Sequence, residues 1–442
     1  MNKLHDYLSS HDISEIHPSE IATILKSLDD GKFAEAIKLV PRDIVGDVAL
    51  ALPDRLFDDV VESLTVDELS HAVSELESDD QADFMQELEE LDEDVASQVF
   101  DTLHEDDQEE ITKLQSYGED EAGSYMQLEI FTAYKDEVVQ DVIKRFAHLR
   151  KENEIENVQN LFITNKDKKL RYAVGLDDLL IFDFSKTVIE NIEASSESFE
   201  PIKASDTDAI KEVVHIFEKY DLSVLAIVNA YGVLLGRITS DDIYDIINEH
   251  ATEQMYNLAG LDDEAEDDDE IIRAGKKRAT WLGLNLFTAI AASVVIALFA
   301  DTLESMVALA VLMPIVASMG GNAGTQSLTV VVRQLALGDI SQGDALRIIK
   351  KEVIISLGNG LVFAIIMGII AALWFDIPLL GLVIGLSMVI NLVIAGFFGA
   401  TVPLLLKRMD IDPAIGSAVI LTTVTDVIGF FSFLGLATYI LL

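Results

Sequence analysis

A single carboxylate, Asp426, lies in the middle of the last long apolar stretch of the sequence. Residues 411–442 read IDPAIGSAVILTTVTDVIGFFSFLGLATYILL, and after Asp412 their only ionisable side chains are those of Asp426 and Tyr439. A carboxylate in the hydrocarbon core of a bilayer costs a few kcal/mol or more, so such residues usually face a partner or a water-filled path. Asp426 therefore predicts a cation pathway. The alternative is a protonated Asp426 that bonds to a neighbouring helix.

Five apolar stretches in the second half of the chain are long enough to cross a membrane. They cover residues 281–300, 306–337, 353–375, 378–406 and 414–442, and a bilayer requires roughly 20 residues per helix. With a cytoplasmic N-terminus, every Lys and Arg of this half lies inside, as the positive-inside rule requires, whereas Asp301, Glu304 and Asp376 lie outside. This threading predicts an extracytoplasmic C-terminus.

The negative charge of the chain is concentrated in its first half. The 442 residues include 31 Lys and Arg and 77 Asp and Glu, a formal net charge of −46. From residue 273 onward there are ten basic and nine acidic residues, which leaves 21 and 68 in residues 1–272, a net charge of −47. Such a surface argues against nucleic acid as a partner, because phosphate binding needs clustered Lys and Arg. It predicts either a solvated surface or one that gathers cations.

Several other kinds of chemistry lack the residues that they need. The chain contains no cysteine, which excludes disulfides, thiolate metal sites and thiol nucleophiles. Its polar N-terminal sequence predicts no cleavable signal peptide. No GxxxxGK[ST] pattern occurs, so ATP hydrolysis is not expected to drive transport, and the sequence predicts a protein that is not an enzyme.

The first 115 residues repeat with a period of 12. Leucine or valine recurs at positions 28, 40, 52, 64, 76 and 88, and again from Leu91 to Leu103. A period this short fits one helix and one turn per repeat, stacked as a solenoid-like superhelix. The acidic residues between these positions are predicted to lie mostly on solvated faces.

A longer repeat follows. Residues 161–182, LFITNKDKKLRYAVGLDDLLIF, align without a gap with residues 225–246, LAIVNAYGVLLGRITSDDIYDI, at an offset of 64. Each copy predicts two strands and then a helix that begins with an acidic pair, and a further helix precedes each copy. This pattern resembles a tandem pair of CBS domains. GRITSDD fits the Gly-x-x-Thr-x-x-Asp ribose pattern of that family through Thr239 and Asp242, whereas the first copy has Tyr172 and Gly175 at the Gly and Thr positions. The resemblance therefore implies ATP at one site at most.

Two segments of the membrane half have a sharper signature. PIVASMGGNAGTQS, residues 314–327, interrupts an apolar stretch with glycines, and TTVTDVIGF, residues 422–430, surrounds Asp426. Together with the acidic helical domain and the CBS pair, they resemble the MgtE family of magnesium channels along essentially the whole chain. The resemblance implies a multi-domain membrane protein that forms a homodimer in a bacterial-type inner membrane. Its expected parts are an all-α superhelical N domain (1–125), α/β tandem CBS domains (126–250), a connecting helix with an acidic linker (251–272) and an α-helical transmembrane domain of five spans (273–442).

The same resemblance implies the residues of the pore. Asp426 from two subunits, Asn322, Thr325 and backbone carbonyls near a broken second span would hold a hydrated Mg²⁺. This fits the ion, because Mg²⁺ retains several waters and takes one or two carboxylates. For Asn322 the alternative is an amide that bonds neighbouring helices.

The resemblance further implies that Mg²⁺ binds to the acidic half and closes the channel. The implied regulatory ligands lie on the N domain, the second CBS copy, the connecting helix and the mouth of the last span: Asp79, Asp83, Asp221, Asp242, Asp245, Glu253 and Asp412. Bound ions would pull the connecting helix, about residues 242–258, over the pore. His250 and Gln254 stand on this helix where carboxylates are common in the family, which leaves the number of ions open. The acidic run 262–270 offers further carboxylates or a solvated linker.

Three functions from different classes follow from these residues. The first is Mg²⁺ uptake down the electrochemical gradient by a channel that cytosolic Mg²⁺ closes. The second is transport of another divalent cation, such as Co²⁺ or Mn²⁺, or a Na⁺-coupled exchange; a proton-coupled carrier would show more ionisable residues in its spans. The third is a CBS-bearing membrane sensor without transport, which has no use for Asp426.

Overall fold

The computed structural model describes residues 2–10, 16–152, 155, 157–259, 271–336, 340, 343–409, 411–414 and 416–442. The chain divides into two compact units, Met1–Asn248 and Glu249–Leu442. The acidic run 262–270 lies outside the described residues. Each unit is described by itself below.

Short helices form the first part of unit one. They are α1 (Asn2–Ser10), α2 (Pro18–Leu25), α3 (Asp30–Ile37), a 3-10 turn (Arg42–Ile44), α4 (Val45–Leu50), α5 (Asp54–Ser63), α6 (Val66–Ser74), α7 (Ser78–Leu91), α8 (Glu93–Thr102) and α9 (Glu105–Leu114). The elements that begin at residues 18, 30, 42, 54, 66 and 78 are 12 residues apart, and α8 and α9 begin at 93 and 105. The helix-and-turn period is thus confirmed. The longer α7 accounts for the break in the leucine spacing after Leu88.

The repeated apolar residues supply the core of these helices. Val40, Leu52, Leu76, Leu88 and Leu103 are all buried in one cluster. Burying each such side chain stabilises the fold by roughly 1.5–3 kcal/mol. Helix starts are fixed locally as well: Thr65 and Glu68 form a capping box at α6, and the Asp92 carboxylate accepts hydrogen bonds from two backbone N–H groups of α8.

Two small sheets follow, one for each predicted CBS copy. The first contains β1 (Thr132–Tyr134), β2 (Asn160–Thr164) and β3 (Leu170–Gly175), with α10 (Val139–Lys151), α11 (Leu176–Ile181) and α12 (Val188–Ala194). The second contains β4 (Lys203–Ser205), β5 (Val224–Val228) and β6 (Leu234–Thr239), with α13 (Ile210–Tyr220) and α14 (Ser240–Ala259). In each sheet the first strand pairs parallel and the last antiparallel to the middle strand.

The strand register confirms the offset of 64. Leu161 pairs with Val174 in the first sheet, and Leu225 pairs with Ile238 in the second. The short strands β1 and β4 were not predicted, because three residues are too few to show an alternating pattern. They lie 71 positions apart, since α10 and the segment after it are together seven residues longer than α13 and the segment after it.

Unit two contains five long described helices, which are apolar enough to cross a membrane. They are α15 (Ile271–Ala297), α17 (Val307–Ala336), α18 (Ala345–Phe375), α19 (Pro378–Arg408) and α20 (Ser417–Leu441), and a short α16 (Ala300–Ser305) joins the first two. α19 is the most buried of the five and packs against α17, α18 and α20. The five predicted apolar stretches are therefore found as helices.

One expectation about these helices is wrong. The glycines of residues 314–327 were expected to break the second span and free its backbone carbonyls, but α17 is continuous from Val307 to Ala336. Pro314 lies inside the helix, and Gly320 and Gly324 are buried in it. These glycines allow close packing instead of opening the backbone.

Candidate functional site

The segment 320–327 of α17 packs closely on α20, the helix that contains Asp426. A Cβ atom added at Gly324 would stand 2.9 Å from the Leu421 side chain, and one at Gly321 would stand 4.0 Å from Thr422 Cγ2. Helices approach this closely only where one of them lacks side chains. Thr422 is one turn before Asp426 on α20, so the glycine segment and the buried carboxylate lie at neighbouring levels.

Asp426 is half-buried and forms no hydrogen bond or ion pair with the part of the chain that the structure describes. This arrangement does not support the alternative of a protonated Asp426 bonded to a neighbouring helix. A carboxylate in a membrane helix without a protein partner needs water or a cation. The geometry of Asp426 is therefore suited to a cation pathway.

Asn322 and Thr325 are both exposed in unit two. The Asn322 amide Nδ2 donates to Ser318 Oγ at 3.4 Å, a group of its own helix. The alternative role for Asn322, a bond between helices, is therefore not observed among the described residues. No hydrogen bond joins Asn322 or Thr325 to Asp426, so their place in a pore remains a prediction.

Two buried polar residues of the membrane half were not singled out from the sequence. Glu352 on α18 accepts a hydrogen bond from Ser327 Oγ at 2.9 Å, and Asn391 on α19 donates to the carbonyl of Val316 at 2.8 Å. Glu352 follows two lysines and stands just before the apolar stretch 353–375 that predicts the third span. Asn391 stands alone in the apolar run SMVINLVIAG, so the reasoning that identified Asp426 could have found it.

The acidic candidates of unit one converge where α7 meets the start of α14. Ala82 of α7 belongs to the same buried cluster as Ile243 and Ile246 of α14. Asp79 is only 6 % exposed, and its Oδ1 lacks a hydrogen-bond partner among the described residues. The structure thus brings Asp79 and Asp242, on helices far apart in the sequence, to one acidic cluster.

Burial and like charge perturb this cluster. Burial raises the pKa of Asp79 well above its usual range, and the carboxylates of Asp80 and Asp242 raise it further. Burial, followed by the charges of Asp83 and Asp242, raises the pKa of Asp80 to about 7. Burial also raises the pKa of Asp242, with the Thr239 hydroxyl opposing it. A carboxylate whose ionised form is destabilised by burial and by neighbouring negative charges is stabilised when it binds a proton or a cation.

Asp80 and Arg237 are part of this site, and sequence reasoning missed both. Arg237 of β6 is 2 % exposed; its Nη2 lies 3.9 Å from Glu77 Oε1, and its Nε donates to Gln127 Oε1 at 3.0 Å. Nothing in the local sequence distinguishes Asp80 from the other acidic residues of α7. Arg237 occupies one of the unspecified positions of the Gly-x-x-Thr-x-x-Asp pattern. A single Arg in an otherwise apolar strand could have identified it.

The predicted nucleotide residues bond to each other. Thr239 is 1 % exposed, and its Oγ1 donates to Asp242 Oδ2 at 2.8 Å and also to Asp241. Asp242 Oδ2 in turn accepts from the Thr239 backbone N–H at 3.2 Å. In this arrangement the pair stabilises the start of α14.

The other predicted regulatory residues are more dispersed. Asp83 and Asp245 are exposed beside the cluster, and their charges raise the pKa values of Asp80 and Asp242 respectively. Asp221 is exposed and ends α13 in the left-handed conformation. In unit two, Glu253 accepts from Asn257 at 3.4 Å, and Asp412 accepts from the Ala414 backbone N–H at 2.7 Å. Within the described ranges, no three acidic or histidine side chains are already arranged around a metal position.

Comparisons with known proteins agree with these features. A family described as divalent cation transporter matches residues 313–436, the MgtE intracellular N domain matches residues 16–120, and the CBS domain matches residues 196–249. The magnesium transporter MgtE of Bacillus subtilis is 30% identical over 330 residues, which cover 74% of this chain and 70% of that protein. The magnesium transporter MgtE of Thermus thermophilus is 30% identical over 334 residues, covering 75% and 72%.

Among solved structures, a crystal structure of the cytosolic domain of the Mg²⁺ channel MgtE in complex with ATP is 24% identical. It covers 55% of this chain and 98% of that one, with a TM-score of 0.49.

The family matches and the relatives from Bacillus subtilis and Thermus thermophilus confirm the resemblance that the sequence indicates. The fold is that of a multi-pass membrane protein with a helical N domain and CBS-type sheets. The chain belongs to the MgtE family.

Proposed function

We propose that this chain is a magnesium channel or transporter whose ion passes along Asp426. The observation that supports it is a carboxylate inside a membrane helix, beside the glycine segment of α17, that has no hydrogen-bond or ion-pair partner among the described residues. The relatives named magnesium transporters support the choice of ion. Mg²⁺ keeps much of its hydration shell, so we propose that Asp426, together with Asn322 and Thr325, would contact its waters as well as the ion.

We propose uptake as the direction. The inside-negative membrane potential draws a cation inward by about 2.3 kcal/mol per charge per 100 mV, and a divalent ion gains twice that amount. Co²⁺, Mn²⁺ and a Na⁺-coupled exchange remain the alternatives. Measuring which ion is transported, and whether removal of Na⁺ stops transport, distinguishes these alternatives.

The growth of a Mg²⁺-auxotrophic cell tests this function. The wild-type chain should restore growth in low Mg²⁺, and Asp426→Ala should not, although its membrane level is unchanged. A wild-type chain that is present in the membrane but fails to restore growth would count against Mg²⁺ uptake. Restoration by both chains would reject only the role of Asp426.

We also propose that internal Mg²⁺ closes this pathway through the acidic cluster. Asp79, Asp80 and Asp242 repel one another, and a divalent ion between them would hold α7 and α14 together. Within unit two, Leu258 near the end of α14 packs with Leu328 of α17 and Leu421 of α20. We propose that ion binding at the start of α14 is transmitted along this helix to the pore. Glu253 and Asp412 would take part near the pore.

The proposed assembly is a homodimer in the plasma membrane with cytoplasmic acidic domains and an extracytoplasmic C-terminus. Two Asp426 carboxylates would then share one ion. Because the chain has no native cysteine, single cysteines report topology without background. Those at Asp376 and Leu442 should react with an impermeant thiol reagent outside the cell, and one at Lys350 should not; protection of position 442 would contradict the threading.

ATP at the second CBS copy is a separate proposal. Thr239 and Asp242 occupy the ribose positions of the pattern, and ATP binding requires that they exchange their mutual hydrogen bond for the ribose hydroxyls. Isothermal titration of the full-length protein with ATP tests it, with Asp242→Ala as the variant that should lose binding. Equal binding by that variant would reject this site.

A further inference from the structure

Asn391 is a fully buried amide at the centre of the membrane unit. It lies on α19, and its Nδ2 donates to the carbonyl of Val316 on α17 at 2.8 Å. Its Oδ1 is buried as well and accepts no hydrogen bond from any described residue. A half-satisfied amide in an apolar interior is less favourable than a leucine of similar size. Stability of the helix bundle therefore does not explain its presence.

Two glycines make room for this amide. A Cβ atom at Gly320 of α17 would come closer to Asn391 Nδ2 than real Cβ atoms do, and one at Gly429 of α20 would stand 2.8 Å from it. The Asn391 side chain thus fills the space between α17 and α20. It acts as a wedge that also bonds to one of the two helices.

The two glycines that contact this wedge are close in sequence to the candidate pore residues. Gly320 is two positions before Asn322, and Gly429 is three positions after Asp426. Asn391 itself is 0 % exposed and does not face a pathway. A change in its size or in its hydrogen bond would alter the separation of the two helices without removing any group that contacts the ion.

We propose that Asn391 is a positioning residue for ion selection. It sets the separation and register of the 320–325 segment and Asp426, and thereby the size of the hydrated cation that the pathway accepts. This inference rests on the proposed transport function. Mg²⁺ binds oxygen at about 2.0–2.1 Å and Ca²⁺ at about 2.3–2.6 Å, so a site with fixed geometry can separate them.

Two substitutions distinguish the effect of the Asn391 side-chain volume from the effect of its hydrogen bond. Asn391→Ala removes both, and Asn391→Leu keeps the volume but removes the bond to Val316. The matched control is Ser387→Ala, because Ser387 is equally buried on α19 and one turn away, but its hydroxyl donates only to the Ile384 carbonyl of its own helix at 3.0 Å.

The first measurement is the ratio of Mg²⁺ to Ca²⁺ uptake into proteoliposomes. Asn391→Ala should lower this ratio about tenfold and Asn391→Leu about threefold, because a loosened site no longer imposes the shorter Mg²⁺ distances. Ser387→Ala should keep the wild-type ratio. Loss of Mg²⁺ and Ca²⁺ uptake by the same factor in Asn391→Ala would show a merely structural role and overturn the inference.

The second measurement does not depend on transport. Cysteines at Gly321 and Thr422 in this cysteine-free chain are placed to form a disulfide, since the Gly321 Cβ would stand 4.0 Å from Thr422 Cγ2. Their oxidative cross-linking should become several-fold faster with Asn391→Ala, because the space that the amide fills is then open to α17 and α20, and it should keep the wild-type rate with Ser387→Ala. Equal rates would overturn the positioning role. A wild-type chain that moves neither ion, but whose cross-linking depends on Asn391, would reject the proposed function and retain the positioning role.

Discussion

Asp426 of unit two and Asp79 of unit one are both carboxylates that are at least partly withdrawn from bulk water, but their surroundings differ. Asp426 has no charged or hydrogen-bonding partner among the described residues. Asp79 stands among Asp80, Asp242 and Glu77, with the buried Arg237 beside Glu77. The lone carboxylate can attract an ion without trapping it. The carboxylates of the cluster repel one another, and a bound cation would relieve this repulsion. Such an arrangement suits a sensor.

The largest expected effect follows from neutralising the lone carboxylate. Asp426→Asn preserves the shape but removes the charge, so Mg²⁺ flux in proteoliposomes should fall to the background of protein-free vesicles. The thermal unfolding midpoint should stay equal or rise, because a charge in the membrane is costly. Lost flux together with a lower midpoint would instead identify Asp426 as a structural residue.

Neutralising the cluster should leave conduction intact and weaken closure by Mg²⁺. We expect a variant with four Asp→Asn changes, at Asp79, Asp83, Asp242 and Asp245, to need a Mg²⁺ concentration about tenfold or more higher for closure. Four lost contributions of about 0.5 kcal/mol each exceed the 1.4 kcal/mol that corresponds to a tenfold change. Patch recording with Mg²⁺ varied on the cytoplasmic side measures this shift. Closure at the wild-type concentration would mean that the cluster is a solvated surface.

The raised pKa values predict how the metal-free cluster responds to pH. Carboxyls with a higher pKa when α7 lies on α14 bind more protons in that state, so the contact is favoured at low pH. It is lost as pH rises from the usual Asp value of 3.8 through about 7, the pKa of Asp80. In EDTA, the distance between spin labels at Gln86 and Lys219 should therefore lengthen between about pH 5 and about pH 8.

Millimolar Mg²⁺ should abolish this lengthening, whereas NaCl of equal ionic strength should reduce it far less, because screening does not bridge carboxylates. A distance that is the same at both pH values would contradict the contribution of Asp79, Asp80 and Asp242.

A smaller effect is expected from the counter-charge. Glu77→Gln removes the ion contact to Arg237 but leaves the Arg237 bond to Gln127 intact. A partly exposed pair contributes about 0.5–1 kcal/mol, so the closing Mg²⁺ concentration should change about two- to fivefold. The matched control is Glu75→Gln, on an exposed residue next to α7, which should change nothing. Equal effects of both variants would assign no special role to the Arg237 contact.

Local patterns account for what could be predicted of this fold. The apolar residues 12 apart predict helices that begin 12 residues apart, because the first five of them, from Leu28 to Leu76, each lie in the turn between one helix and the next. Leu88 lies inside the longer α7. The offset of 64 predicts the paired strands, since Leu161 and Leu225 hold equivalent places. Short β1 and β4 depend on long-range pairing and leave no such pattern.

The candidate site was predicted only in part, for the same reason. Asp426 could be identified from the sequence because a single charged residue in an apolar stretch is recognisable without any knowledge of its contacts. The meeting of α7 with α14 is a tertiary contact, so neither the raised pKa of Asp80 nor the Arg237–Glu77 contact could be read from spacing. The glycines of 320–324 were misread as a break, because sequence alone does not distinguish a bent helix from a closely packed one.

The most direct test of the account is voltage-driven Mg²⁺ flux into proteoliposomes that contain an internal Mg²⁺ indicator. An inside-negative potential should drive uptake by the wild-type chain, with a driving force of about 4.6 kcal/mol per 100 mV for a divalent ion. Asp426→Ala, reconstituted at the same density, should show no voltage-driven uptake. Equal uptake by Asp426→Ala and the wild-type chain would contradict the claim that this carboxylate lies on the path of the ion.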